Sequence, residues 1–242
     1  LLLLSSAHGV TYRTRMPVIV ACVLPPVAFG LLVTACRRVP PRTLQPVLHV
    51  QKLHNALMVM YSLYVYVFLL LKLQSTGRLD SVRAMLCESG DGAPMLWYAS
   101  KYLEWVDTLI LFAKGKKPSA LHLFHHATAP IAVAANLFDL ARPTPGFDIG
   151  SFLNGGVHAV MYLYYYDAVA YRDLRKMVTT IQILQHVAVV GSCVAALCME
   201  GCHAPVERYA VSIGLYAVYL VAFIAFYLRT YASPPRAKPK RA

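Results

Sequence analysis

A chain of 242 residues that is 58% hydrophobic, with a mean hydropathy of +0.52, is too apolar for an ordinary soluble domain, whose apolar share is about 45–50%. Its formal charge of +12 comes with no aromatic-basic recognition motif, so the basic excess is not read as a nucleic-acid surface. The composition calls for an all-α, polytopic membrane protein that forms a single domain over residues 1–242.

Residue 1 is Leu rather than Met, and Leu1 to Leu4 reads as the remainder of a longer or processed chain. After a short segment of about 15 residues come apolar runs of roughly bilayer-spanning length. They fall at residues 16–35, 55–71, 95–113, 121–138, 149–166, 179–199 and 209–228, which predicts seven transmembrane helices. The intervening loops alternate in basic content, as the positive-inside rule requires. Arg37, Arg38, Arg42 and Lys52 follow the first run, Lys114, Lys116 and Lys117 the third, and Arg172, Arg175 and Lys176 the fifth. These loops and the basic tail (about 229–242) are expected in the cytosol. The opposite loops carry most of the acids, and an odd helix count puts residues 1–15 in the lumen. Lys238 and Lys240 have the spacing of a dilysine retrieval signal of the endoplasmic reticulum, or are simply part of a basic tail. The loop cations are read either as topology and anionic-lipid contacts or as contacts to the phosphates of a coenzyme A substrate, with Lys114, Lys116, Lys117, Arg172 and Lys176 the candidates.

Six cysteines form no C-x-x-C pattern. Cys87 and Cys202 both fall on the expected luminal, oxidising face, so a disulfide between them is expected. Cys22, Cys36 and Cys193 read as ordinary helix residues.

Charged groups inside an apolar helix cost about 2.5–3.5 kcal/mol each on insertion scales. The third run nevertheless holds Lys101, Glu104, Asp107 and Thr108, with Lys101, Glu104 and Thr108 at i, i+3 and i+7. Their charges can pair within the bundle, whether to pin helices or to orient catalytic groups. The fourth run opens with His122, His125 and His126, an H-x-x-H-H pattern that turns three imidazoles toward one interior spot. In the fifth run Asn154, His158, Tyr162 and Tyr165 make a polar stripe. In the sixth, Thr179, Gln182, Gln185 and His186 repeat at three and four, as interhelical hydrogen-bonding residues or as part of a site. Topology gathers these stripes at the end that carries the basic loops. The expected site is a polar pocket there, continued by an apolar channel, a shape suited to an amphiphile with an activated head and a long tail.

Four blocks in order, K-x-x-E-x-x-D-T at 101–108, H-x-x-H-H at 122–126, N-x-x-x-H followed by M-Y-x-Y-Y at 154–165, and T-x-x-Q-x-x-Q at 179–185, resemble the ELO family of very-long-chain fatty acid elongases. The resemblance runs from about His54 to the last helix. It implies condensation of a long-chain acyl-CoA with malonyl-CoA to a 3-ketoacyl-CoA, with release of CO2 and CoA. It implies helices two to seven around an acyl tunnel, and residence in the membrane of the endoplasmic reticulum. It also implies cooperation with a ketoacyl reductase, a dehydratase and an enoyl reductase, with homodimerisation as an option. No cofactor or metal is expected. The reading assigns acyl transfer to His125 or His158. The other histidines serve as acid, base or oxyanion donors, and Lys101, Glu104, Asp107, Thr108, Asn154, Tyr162, Tyr165, Thr179, Gln182 and Gln185 orient them or bind substrate. Two rivals stay open. A membrane di-iron desaturase or hydroxylase also carries H-x-x-H-H boxes, and His49 and His54 mimic one of its boxes, although a third is missing. A seven-helix receptor or transporter is the non-enzymatic alternative.

Overall fold

Because a bilayer offers no water to backbone N–H and C=O groups, an apolar chain crosses it as helices whose hydrogen bonds close internally. The computed structural model, which describes residues 18–41, 44–88, 94–137, 147–202 and 206–232, is helical throughout, with no strand among the described residues. Residues 1–15, most of the basic tail with Lys238 and Lys240, Arg42 and Cys22's side chain lie outside the described set. The elements are α1 (Val18–Cys36), α2 (Leu44–Ser75), α3 (Val82–Cys87), α4 (Pro94–Leu103), α5 (Trp105–Ala113), α6 (Ala120–Leu137), α7 (Phe147–Tyr166), α8 (Leu174–Cys198) and α9 (Val206–Tyr227). The last runs into a wide, π-type turn, Leu228–Ala232.

Among the described residues, three stretches are long and apolar enough to cross a membrane by length and composition, at Gln45–Ser75, Leu174–Cys198 and Tyr209–Ala232, and Val23–Cys36 in α1 is a shorter apolar helix. The helices α6 and α7 hold the three histidines of the H-x-x-H-H pattern, His158, Asp148 and Asn154, and Asp148, Asn154, His126 and His158 are all buried.

The sequence reading of 95–113 as one helix is corrected by a break at Glu104, which separates α4 from α5. The local cause is a tightened turn, in which the Asp107 N–H bonds Glu104 O three residues back at 3.1 Å. The helix α2 also begins at Leu44 rather than near 55, and the short α3, capped by Ser81 Oγ on the Ala84 N–H, adds an element that the apolar runs do not mark.

The helices α6, α9, α8 and α7 pack in series, with α2 laid along α7 and α4 against α6. The helices α2 and α7 come close at Gly155 on α7, where a Cβ would meet Ser62 O and Tyr66 N of α2 at 3.2 Å. Only glycine lets the two backbones approach so closely. The first helix, α1, gives none of its described residues to the wall of the histidine cavity. It packs on α6 and α5, and the Phe29 ring lies 5.2 Å from that of Trp105 and 6.1 Å from that of His126.

The two ends of the bundle differ. At one, the Cys87–Cys202 disulfide joins α3 to the segment after α8 across 115 residues. Nearby, Arg78 pairs with buried Asp148 and donates to Glu88 O at 2.8 Å, and Arg83 donates to Glu200 O at 2.8 Å. At the other end, Lys114 Nζ donates to Gln51 Oε1 (2.6 Å), and Gln51 Nε2 donates to Tyr165 O (3.1 Å). The α5–α6 hairpin there turns on Gly115 at φ +68°, with the Gly115 N–H on Phe112 O and the Lys116 N–H on Leu111 O, a Schellman closure.

Candidate active site

The break at Glu104 puts a carboxylate inside the bundle, where it is 2% exposed. A buried charge needs partners. Lys101 Nζ donates to Glu104 Oε1 at 2.6 Å and to Asn154 Oδ1 at 2.8 Å, and Trp97 Nε1 donates to the same Asn154 oxygen at 2.9 Å. Ser100 Oγ stands 3.5 Å from Glu104 Oε1. Across the interior, His158 Nδ1 lies 3.3 Å from that carboxylate oxygen. If Nδ1 carries the proton toward Glu104, the lone pair of Nε2 is left free for other work.

One turn further along α5, the Thr108 hydroxyl sits between two imidazoles, 2.8 Å from His122 Nε2 and 3.3 Å from His126 Nδ1. The two rings stack at 4.0 Å between centroids, and Trp105 Nε1 donates to His126 O at 2.9 Å. The His125 ring packs 4.9 Å from that of Tyr219, and its buried Nδ1 has no hydrogen-bond partner among the described residues. On the remaining side, Asp107 takes Tyr162 O–H on Oδ2 (2.7 Å) and His54 Nε2–H on Oδ1 (3.1 Å).

These groups surround a cavity of about 300 Å³. His122, His125, His126 and His158 line it together with Glu104, Tyr162, Tyr165, Thr179 and Gln182. Lys101, Asn154, Asp107 and Thr108 stand behind that wall and reach it through their hydrogen bonds. Gln185 is buried but does not line the cavity, and Gln182 Nε2 donates to Met161 Sδ at 3.3 Å. A second, smaller cavity of about 30 Å³, toward the disulfide end, is lined by Leu86, Trp97, Ala132, Val189 and Tyr216 among others. The rings of His186, Tyr216 and Tyr219, 5.7–5.8 Å apart, pack together in the core that α6, α8 and α9 share at this level.

Of the cations expected to meet an anionic substrate, none lines the cavity. Lys114 is tied to Gln51, and partial burial followed by the charge of Lys116 moves its ammonium below the ordinary lysine pKa. Lys116 and Lys117 are exposed, Arg172 pairs with Asp173 at 3.8 Å in the open, and Lys176 lies over the Tyr227 ring. Arg175 lines the cavity instead, beside Tyr231, whose O–H donates to Arg175 O at 3.1 Å. The signal for it is present in the sequence, since Arg175 precedes Val178, Thr179 and Gln182 by three, four and seven residues and so shares their helical face. Spacing alone places His54 only in a mimic histidine box, because its bond to Asp107 depends on the packing of α2, which spacing does not reveal.

The model of the ELO family, described as the GNS1/SUR4 family, matches residues 12–239. Human very long chain fatty acid elongase 3 is 31% identical over 151 residues, covering 58% of this chain and 54% of the relative. Fatty acid elongase sre1 of Dictyostelium discoideum is 30% identical over 154 residues, 60% of this chain and 55% of the relative. Human very long chain fatty acid elongase 4 is 26% identical over 205 residues, 77% and 63%. The chain thus spans about half the length of the first two of these relatives. With the family model covering nearly all of its length, the protein belongs to the ELO, or GNS1/SUR4, family.

Proposed function

We propose that the protein is a fatty acid elongase of the condensing type, a 3-ketoacyl-CoA synthase that joins a long-chain acyl-CoA to malonyl-CoA. The observation that carries this reading is the convergence of four imidazoles and one buried carboxylate on a single cavity beside Arg175. Family membership and the names of its relatives support fatty acid elongation; the chemistry below is argued from the side chains.

In the first half-reaction the lone pair on the unprotonated nitrogen of a neutral imidazole attacks the acyl thioester carbonyl. The C–S bond breaks, the acyl group passes to nitrogen, and CoA leaves as a thiolate that takes up a proton. In the second, malonyl-CoA loses its carboxylate as CO2, and the electron pair of the broken C–C bond becomes the carbanion at C2. That carbanion attacks the acyl-imidazole carbonyl, the C–N bond breaks, and a 3-ketoacyl-CoA two carbons longer is released with the imidazole restored. His125 is the nucleophile in this reading. Its ring lines the cavity, and among the described residues no hydrogen bond ties down its buried Nδ1. A specific observation also favours His158, whose Nδ1 faces Glu104 so that a carboxylate stands ready for the proton lost on acylation. His122 and His126, linked through Thr108, are placed to act as acid or oxyanion donors.

The proposal includes seven membrane spans, with α4 and α5 together forming one, and a multi-pass location in the endoplasmic reticulum. The N-terminus and the disulfide end are luminal, and the Lys114–Lys117 hairpin, the 167–173 loop and the C-terminal tail are cytosolic. The concentration of basic residues at the cavity end and the disulfide at the other support this orientation. An acyl tail extends from the larger cavity toward the smaller one. Substrates are acyl-CoA and malonyl-CoA, no cofactor is required, and a reductase, a dehydratase and an enoyl reductase complete the cycle, with homodimerisation as a further element.

The test is 3-ketoacyl-CoA formation by purified protein from labelled malonyl-CoA and a panel of acyl-CoAs, in a strong chelator. Malonyl-dependent product supports the reading and gives the chain-length optimum. No product from folded protein would overturn it and return weight to an iron oxygenase or to a receptor or transporter.

A further inference from the structure

We infer that His54 is a positioning residue of the histidine cavity, acting on His158 through Asp107 and Tyr162. The inference rests on the proposed role of His158. The helix α2 gives none of its described residues to the wall of the histidine cavity; Met58 packs on Tyr162, and His54 makes the polar link from α2 to the groups behind that wall. His54 Nε2–H donates to Asp107 Oδ1 at 3.1 Å, and Tyr162 O–H donates to Asp107 Oδ2 at 2.7 Å. With one bond on each oxygen, from helices on different sides, the carboxylate plane is fixed.

Tyr162 is fully buried, packed with Met58, Met161 and Val178, and its O–H is directed at that carboxylate. Its ring meets the His54 ring edge to face at 5.9 Å and the His158 ring edge to face at 5.9 Å. Glu104 holds His158 at Nδ1, and Tyr162 braces the ring laterally. Four side chains from α2, α5 and α7 therefore form one connected chain ending on an imidazole of the cavity. Removing the His54 donor leaves Asp107 Oδ1 without its bond, frees the carboxyl to rotate, and takes the fixed acceptor from Tyr162 O–H.

The experiment compares His54→Ala, His54→Gln, Tyr162→Phe and the double variant His54→Ala/Tyr162→Phe in the full-length protein. Glutamine keeps an N–H donor at comparable reach. The first readout is condensation kinetics. His54→Ala and Tyr162→Phe each lower kcat about ten-fold with little change in either KM, the double variant is no worse than either single one, and His54→Gln recovers most of the loss. The second readout needs no turnover: the rate at which diethyl pyrocarbonate modifies His158, followed by peptide mass spectrometry, rises in His54→Ala and Tyr162→Phe and returns to the wild-type rate in His54→Gln. Additive losses in the double variant, failure of glutamine to restore, or an unchanged His158 modification rate in His54→Ala overturns the inference. Wild-type protein without condensing activity would instead sink the proposed function, while the modification rates would still decide the role of His54.

Discussion

Glu104 and His158 are 54 residues apart in sequence and meet at 3.3 Å in the interior, with Lys101 bound to the same carboxylate oxygen at 2.6 Å. The carboxylate thereby serves two partners at once. Lys101 offsets its charge, and His158 takes its orientation from it. Glu104→Gln keeps the shape but removes the charge, so Lys101 becomes an unpaired buried cation. The expected result is a kcat lower by on the order of 100-fold. A stability loss of about 3 kcal/mol accompanies it. Steady-state kinetics and thermal unfolding in detergent read the two effects separately.

The two candidate nucleophiles separate under trapping. Incubation with acyl-CoA and no malonyl-CoA, followed by digestion and mass spectrometry, places the acyl mass on the peptide of His125. In His125→Ala both the adduct and condensation are lost. An adduct on His158 that persists in His125→Ala would assign the chemistry to the Glu104-linked imidazole.

Arg175 lines the cavity in the region where the basic loops cluster. Arg175→Ala is expected to raise KM for both CoA substrates about ten-fold with kcat nearly kept, as the loss of one charged hydrogen bond implies. The ionic-strength dependence of KM becomes shallower in the variant. The same change at Arg172, exposed beside Asp173, leaves KM within about two-fold of wild type.

Gly155→Ala tests the α2–α7 contact. The added methyl sits 3.2 Å from backbone atoms of Ser62 and Tyr66, which cannot yield as a flexible side chain would. A loss of about 1–3 kcal/mol is expected, seen as a lower unfolding midpoint. Gly214, where an added methyl meets nothing within 4 Å, tolerates alanine in the same assay.

Cys87→Ser/Cys202→Ser removes a cross-link that closes a long loop. The expected cost is about 2–4 kcal/mol, measured by thermal unfolding. Thiol labelling of unfolded wild-type protein, before and after reduction, counts the two extra cysteines directly.

What sequence alone could convey was governed by periodicity. His122, His125 and His126 declare a shared face through spacing within one helix, and the stripe of Asn154, His158, Tyr162 and Tyr165 does the same for another. Residues that act between helices were legible only in part. Lys101 and Glu104 were expected to pair, but the carboxylate's contact with His158 depends on how α5 and α7 cross. His54 belongs to this second kind, being tied to Asp107 across 53 residues. The break at Glu104 was hidden because neither proline nor glycine marks it. Arg175 could be singled out from its neighbouring cations only by its helical spacing to Val178, Thr179 and Gln182, since a basic loop otherwise supplies several equivalent cations.

Phe223, Phe226 and Tyr231, which close one side of the histidine cavity, lie on α9 and the turn that follows it. During synthesis the four histidines are therefore in place before the wall that shields them. Until α9 packs against α6 and α8, that side of the cavity lacks its wall. The enclosure of the four imidazoles is thus completed only when the last described helix has docked.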